Sequence, residues 1–175
     1  MTDSKLINKK LKKIKILVMD VDGTLTNGKV FYSKNGEELK QFSIRDGMGI
    51  ELLRRADIQT GIITSENSPI VTARAAKLKI EHVILGSRNK KKDFEQLADD
   101  LKLELNEIAY IGDDINDIQV LQIAGLAACP KDSVKKVKEI SDYICKAEGG
   151  DGAIRELAEM ILKSQNKSII LPENW

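Results

Sequence analysis

Residues 14–24 read IKILVMDVDGT: a short, β-branched apolar run closed by two acids, a glycine and a threonine. An apolar run of this length predicts a buried strand over 14–21. Working outward, KVFYS (29–33) and ELKQFS (38–43) are rich in strand formers and are separated by Lys34, Asn35, Gly36 and Glu37, which predicts a β-hairpin. Beyond it, strands predicted over 60–64, 82–85, 108–111, 126–129 and 143–145 alternate with helices. The helices are predicted over 46–56, 69–78, 93–103, 117–123, 133–140 and 153–163. Alternation of this kind predicts an α/β fold, a doubly wound and mostly parallel sheet with helices on both faces. The hairpin, about residues 28–43, is an insertion after the first strand.

Length and composition agree with that Rossmann-like reading. A chain of 175 residues with 42% apolar content is expected to form a single domain over 1–175, large enough to bury its own core. Lys and Arg number 28 against 27 Asp and Glu, a net charge of +1, so no field of one sign is available to hold nucleic acid or an anionic membrane. Apolar runs fall short of the roughly 18 residues of a membrane span, and no secretory signal pattern opens the chain. Cys129 and Cys145 are far apart and form no CxxC, against a disulfide scaffold or a zinc site. The cytoplasm is the expected compartment. The only histidine, His82, falls in a predicted strand away from the acids, and the 164–175 tail follows no pattern. Ile169, Leu171 and Trp175 are apolar enough to dock that tail, and a disordered tail fits equally well.

Ligands of doubly wound sheets bind at the carboxyl ends of the strands. Four segments of this chain deliver polar groups there: Asp20 and Asp22, Thr64 and Ser65, Lys90, and Asp113, Asp114 and Asp117. On an extended backbone Asp20 and Asp22 would face one space, and two close carboxylates are relieved by a cation or a retained proton. With Asp113 they form a hard-oxygen set suited to Mg²⁺. Each segment also has a plain structural reading: an acidic turn, a helix-capping hydroxyl, a solvated basic helix start, and caps at Asp114 and Asn116.

Taken in order, DVDGTLTNG (20–28), NGEELKQFSIRDGMGIELL (35–53), GSRNK (86–90), IAYIGDDINDI (108–118) and EGGDGAIRE (148–156) resemble the haloacid dehalogenase superfamily, in its small capless branch. The resemblance implies a phosphatase with Asp20 as nucleophile and Asp22 as general acid and base, with Thr24 helping to orient Asp22. It implies Mg²⁺ held by Asp20, the backbone carbonyl of Asp22 and Asp113, supported by Asp114 and Asp117. Thr64 and Lys90 would hold the transferring phosphoryl group with help from Ser65. In this branch the substrate is a small sugar-acid phosphate: the 8-phosphate of 3-deoxy-D-manno-octulosonate, or a nonulosonate 9-phosphate such as that of N-acylneuraminate or 2-keto-3-deoxynononate. Thr64-Ser65-Glu66 departs from the octulosonate pattern TGR, and Glu66 with Lys77 looks more like the nonulosonate branch. Arg45 and the following DGMG look like the octulosonate one, and Arg74 matches an arginine of both. On the whole-chain pattern the octulosonate is preferred. Relatives of this size also pack the hairpin between subunits, which implies a homotetramer with a neighbouring chain roofing each site, and Val30, Phe31 and Tyr32 are the apolar residues available for it. Two other classes fit some of the same letters, a phospho-accepting receiver domain and a non-catalytic assembly module.

Overall fold

The computed structural model describes residues 3–171. In chain order these form α1 (Asp3–Leu11), β1 (Ile16–Met19), β2 (Thr26–Ser33), β3 (Gly36–Phe42), α2 (Ile44–Arg55), β4 (Gln59–Ile63) and α3 (Pro69–Leu78). Then follow β5 (His82–Ile84), α4 (Lys90–Leu101), β6 (Ile108–Ile111), α5 (Ile118–Leu121), β7 (Leu126–Cys129), α6 (Lys135–Ile140), β8 (Tyr143–Ile144) and α7 (Ala153–Ser164). Six strands make one sheet in the order β5-β4-β1-β6-β7-β8, every pairing parallel, while β2 and β3 pair antiparallel as a separate hairpin. The α/β expectation holds.

β1 lies near the middle of the sheet, and all four of its residues are buried. Side chains alternate across a strand, so Leu17 and Met19 join a core with α2 and α7, while Ile16 and Val18 join a second core with Phe94, Leu97 and Val120. Close packing of α2 on α7 is set by Gly49, where a Cβ would come within 2.9 Å of the Arg155 Cα. One turn earlier, the buried Asp46 accepts hydrogen bonds from the backbone N–H of Gly152 (3.1 Å) and Arg155 (2.9 Å). A carboxylate from another helix thus caps α7, whose own N-cap is a glycine.

Several boundaries differ from the sequence expectation, each for a local reason. Helix α1 is unexpected: it is short and polar, and such a segment is not stable alone. Ile7 and Leu11 dock it on the core, and Lys10 pairs with Asp142 at 2.6 Å. α4 starts at Lys90 rather than at 93, because Asn89 Oδ1 accepts from Lys92 N–H and caps it there. The helix expected over 117–123 is a 3₁₀ turn (Ile115–Asp117) running into the short α5. The tail docks as far as it is described: Ile169 and Leu171 pack against the core and Lys167 Nζ donates to the Ala56 carbonyl. Trp175 lies outside the described residues. Both thiols are buried and free, and His82 opens β5 at the sheet edge away from the acids, beside Gln59 (3.2 Å). No helix among the described residues is long and apolar enough to cross a membrane.

Because the strands are parallel, Asp20, Thr64 and Asp113 all follow strand C-termini and emerge at one edge.

Candidate active site

Asp20 follows the last residue of β1 and is buried. Its Oδ1 is 2.8 Å from Lys90 Nζ, which α4 projects from its first turn, and the same ammonium donates to Asp117 Oδ1 at 2.7 Å. Asp117 is fully buried and fully engaged. Its Oδ1 also accepts from the Tyr110 hydroxyl (2.7 Å), and its Oδ2 accepts from the backbone N–H of Asp113 (3.0 Å) and Asp114 (3.3 Å). These bonds shape the turn after β6 and aim Asp113 inward. Thr24 Oγ1 donates to Asp113 Oδ1 at 3.1 Å. Gly23, at φ +89, is what allows Asp113 this close: a Cβ there would lie 2.1 Å from Asp113 Oδ2.

One carboxylate oxygen from each of Asp20, Asp113 and Asp117 lies within 4.8 Å of the others. Three carboxylates face one ammonium, so the cluster keeps an excess of negative charge. Burial, and then the charge of Asp117, push the Asp20 carboxyl well above the usual range, and the same two causes push Asp113 up to about 7. Burial alone would lower Lys90, yet the charges of Asp20 and Asp117 outweigh it and hold the ammonium above its ordinary value. Burial first, with Asp117 adding, keeps the Tyr110 phenol protonated far above its ordinary value. Hard oxygen donors that hold protons for want of a counter-charge are a set that a small divalent cation fits.

Beside the cluster opens a cavity of about 310 Å³, with Asp20, Asp22, Thr64, Ser65, Glu66, Asp114 and Asn116 on its wall. A neighbouring cavity of about 440 Å³ shares Ser65 and Asn116 and adds Arg88 and Lys90. Cavities of about 240 and 480 Å³ also open near Asp57, at the other edge of the sheet, away from the acids.

Some expected residues take other partners. The chain bends at Val21 and turns at Asp22, so the two acids do not alternate along an extended strand. The acid that perturbs Asp20 is Asp117, not Asp22. Asp22 instead pairs through Oδ1 with Lys40 Nζ of the hairpin at 2.5 Å, while its Oδ2 is buried with no hydrogen bond among the described residues. The Thr24 hydroxyl is bonded to Asp113 rather than to Asp22. Asp114 is exposed and caps the 3₁₀ turn through Ile115 N–H (2.7 Å). Arg74 donates to the Ser43 carbonyl (2.9 Å) with its guanidinium 5.3 Å over the Phe42 ring, so it joins α3 to the hairpin base and stays off the cavity wall. Arg45 and Lys77 are exposed and also off that wall, Lys77 in the last turn of α3. Tyr110, Lys40, Glu37 and Ser68 escape a motif reading. A signal exists for Lys40: with strict alternation, an inward Phe42 places Lys40 inward too.

Residues 54–157 match the family model of the haloacid dehalogenase-like hydrolases. The chain is 38% identical over 164 residues to the 3-deoxy-D-manno-octulosonate 8-phosphate phosphatase of Haemophilus influenzae, covering 94% of this chain and 91% of that one. Its fold superposes with a TM-score of 0.90 on the phosphatase of that name from Moraxella catarrhalis, solved with a magnesium ion, a phosphate ion and a KDO molecule, at 38% identity over 95% of this chain and 94% of the other. A cobalt-bound form of the Haemophilus influenzae enzyme gives a TM-score of 0.89 at 39% identity, covering 91% and 93% of the two chains. Together with the ordered acids, hydroxyl and lysine at one sheet edge, these likenesses make the chain a member of the haloacid dehalogenase-like hydrolase family and a phosphatase within it.

Proposed function

We propose that the chain, acting as one unit, hydrolyses the phosphomonoester of a 3-deoxy-2-ulosonic acid, with 3-deoxy-D-manno-octulosonate 8-phosphate as first substrate. The observation that carries this reading is the buried contact of Asp20 with Lys90 at 2.8 Å, with Asp20 on the wall of an open cavity and a carboxylate oxygen of Asp113 within 4.8 Å of it. The likeness to phosphatases of that substrate supports the choice of sugar. Membership of the hydrolase family favours the reading over the receiver domain and the assembly module.

Uncatalysed hydrolysis of such esters is among the slowest reactions known, so acceleration of up to ~10²¹-fold is at stake. Asp20 attacks phosphorus, the bond to the sugar oxygen breaks, and the departing oxygen takes a proton from Asp22. Water then attacks the aspartyl phosphate, Asp22 takes its proton, and the bond to Asp20 breaks to release phosphate. Thr64 and Lys90, with Ser65, hold the phosphoryl oxygens through both displacements. Mg²⁺, held by Asp20, Asp113 and the Asp22 carbonyl, would offset the repulsion between nucleophile and phosphate. Asp117 and Asp114 hold that set in place. Glu66, on the cavity wall, is suited to accept hydrogen bonds from sugar hydroxyls and favours a nonulosonate 9-phosphate as second reading. Arg45, Arg74 and Lys77 have no place on that wall and are given no part in substrate binding within one copy.

The hairpin presents Phe31 (61% exposed), Tyr32 (68%) and Leu39 (61%) to the outside. That much apolar surface on two strands supports a homotetramer in which hairpins pack together and exclude water from the sites.

Replacing Asp20 with Asn should abolish phosphate release and leave the circular dichroism spectrum unchanged; near-normal turnover would remove Asp20 as nucleophile. The Asp113 carboxyl ionises at 3.8 in a free chain and at about 7 here, so its contribution to stability is complete below the first value and lost as pH rises through the second. Chelator-treated protein should therefore melt at lower temperature at about pH 8 than at about pH 5, and Mg²⁺ should raise the melting temperature more at the higher pH. An equal Mg²⁺ effect at both would separate the ion from these carboxylates. Light scattering at micromolar protein should give the mass of four chains, and a monomer would refute the hairpin assembly. Finally, kcat/KM with Mg²⁺ should favour the octulosonate 8-phosphate over the nonulosonate 9-phosphates; a ratio near one would mean that neither sugar is the substrate.

A further inference from the structure

The hairpin exposes most of its side chains, yet one lysine on it is hidden. The Lys40 side chain is 1% exposed, with Nζ at 2.5 Å from Asp22 Oδ1 and 3.4 Å from Glu37 Oε2. Glu37 in turn accepts from the hydroxyl of the buried Ser68 at 3.0 Å. Ser68 occupies the N-cap position of α3 but makes no side-chain cap bond, so its hydroxyl is given to the hairpin instead of to its own helix. The series Asp22, Lys40, Glu37, Ser68 thus runs from the turn after β1 to the start of α3, bracketing the cavity wall formed by Asp22 and residues 64–66. An ammonium is costly to bury unless paired, and this one is spent on a residue of the site rather than on the hairpin's own fold.

We propose that Lys40 is a positioning residue for proton transfer. By holding Oδ1 it sets the plane of the Asp22 carboxyl at the cavity wall, while Oδ2 is buried and without a hydrogen bond among the described residues. This rests on the reading of Asp22 as the general acid. In that step the phosphorus–oxygen bond to the leaving group breaks, its electron pair stays on the leaving oxygen, and the proton of the Asp22 carboxyl passes to it.

The test compares leaving groups, using kcat/KM because it covers only steps through the first phosphoryl transfer. A primary-alkyl phosphate needs a proton on its departing oxygen, and 4-nitrophenyl phosphate does not. In the full-length protein with Mg²⁺, Lys40→Met should lose about 10²-fold on the alkyl phosphate, the order expected for a misplaced catalytic group, and far less on the nitrophenyl ester. Asp22→Asn, run alongside, should show the same split. Equal losses on both esters for Lys40→Met, with the split intact for Asp22→Asn, would overturn the positioning role and leave the lysine a structural clamp. Absence of the split in Asp22→Asn would instead remove Asp22 as the acid, and the role of Lys40 with it. Should Lys40→Met not fold, Lys40→Gln, which keeps a donor and removes the charge, decides by the same ratio.

Discussion

The ammonium of Lys90, buried between Asp20 and Asp117, is the interaction on which the site depends. It joins the end of β1, the start of α4 and the turn after β6, which the sheet order brings side by side. Neither sign of charge is tolerable there alone: an unpaired ammonium would lose its hydration, and the carboxylates would repel one another. Asp117 is the hub, since its two oxygens take the lysine, the Tyr110 hydroxyl and two backbone N–H groups. With Asp117 so committed, Asp20 and Asp113 are left next to the cavity without an equal counter-charge, and each holds its proton to higher pH than a free carboxyl.

Two glycine-rich stretches of the sequence do architecture rather than chemistry. In RDGMG (45–49), Asp46 caps α7 from outside that helix and Gly49 lets α2 sit against the α7 backbone. EGGDG (148–152) closes over the first turn, with the Gly150 N–H donating to the Thr24 carbonyl at 2.9 Å. The turn that carries Asp22 and Thr24 is therefore fixed from below by a loop more than a hundred residues away.

The hairpin inverts the usual arrangement of a surface element. Phe31, Tyr32 and Leu39 face out, while Lys40 and Glu37 face the body of the protein. Apolar residues on the outside and an ion pair on the inside suit an element that meets other surfaces on both of its sides. The hairpin reaches the site through the contact of Lys40 with Asp22, which itself lies on the cavity wall.

Periodicity within the sequence determines the parallel α/β class, the strands over 108–111 and 126–129 and the helix over 69–78, because each reports burial through neighbouring letters alone. It also brings Asp20, Thr64, Lys90 and Asp113 to one edge, since strand ends in a parallel sheet share a side. α1 has too few apolar residues to declare itself, and only docking of Ile7 and Leu11 makes it a helix. The pairing of side chains was decided by the tertiary structure: Asp117 rather than Asp22 beside Asp20, Thr24 on Asp113, Lys40 on Asp22. Such contacts join segments 18 to 97 positions apart in the chain, and their geometry follows from sheet order, a bend at Val21 and hairpin register, none of which leaves a trace in the local run of residues.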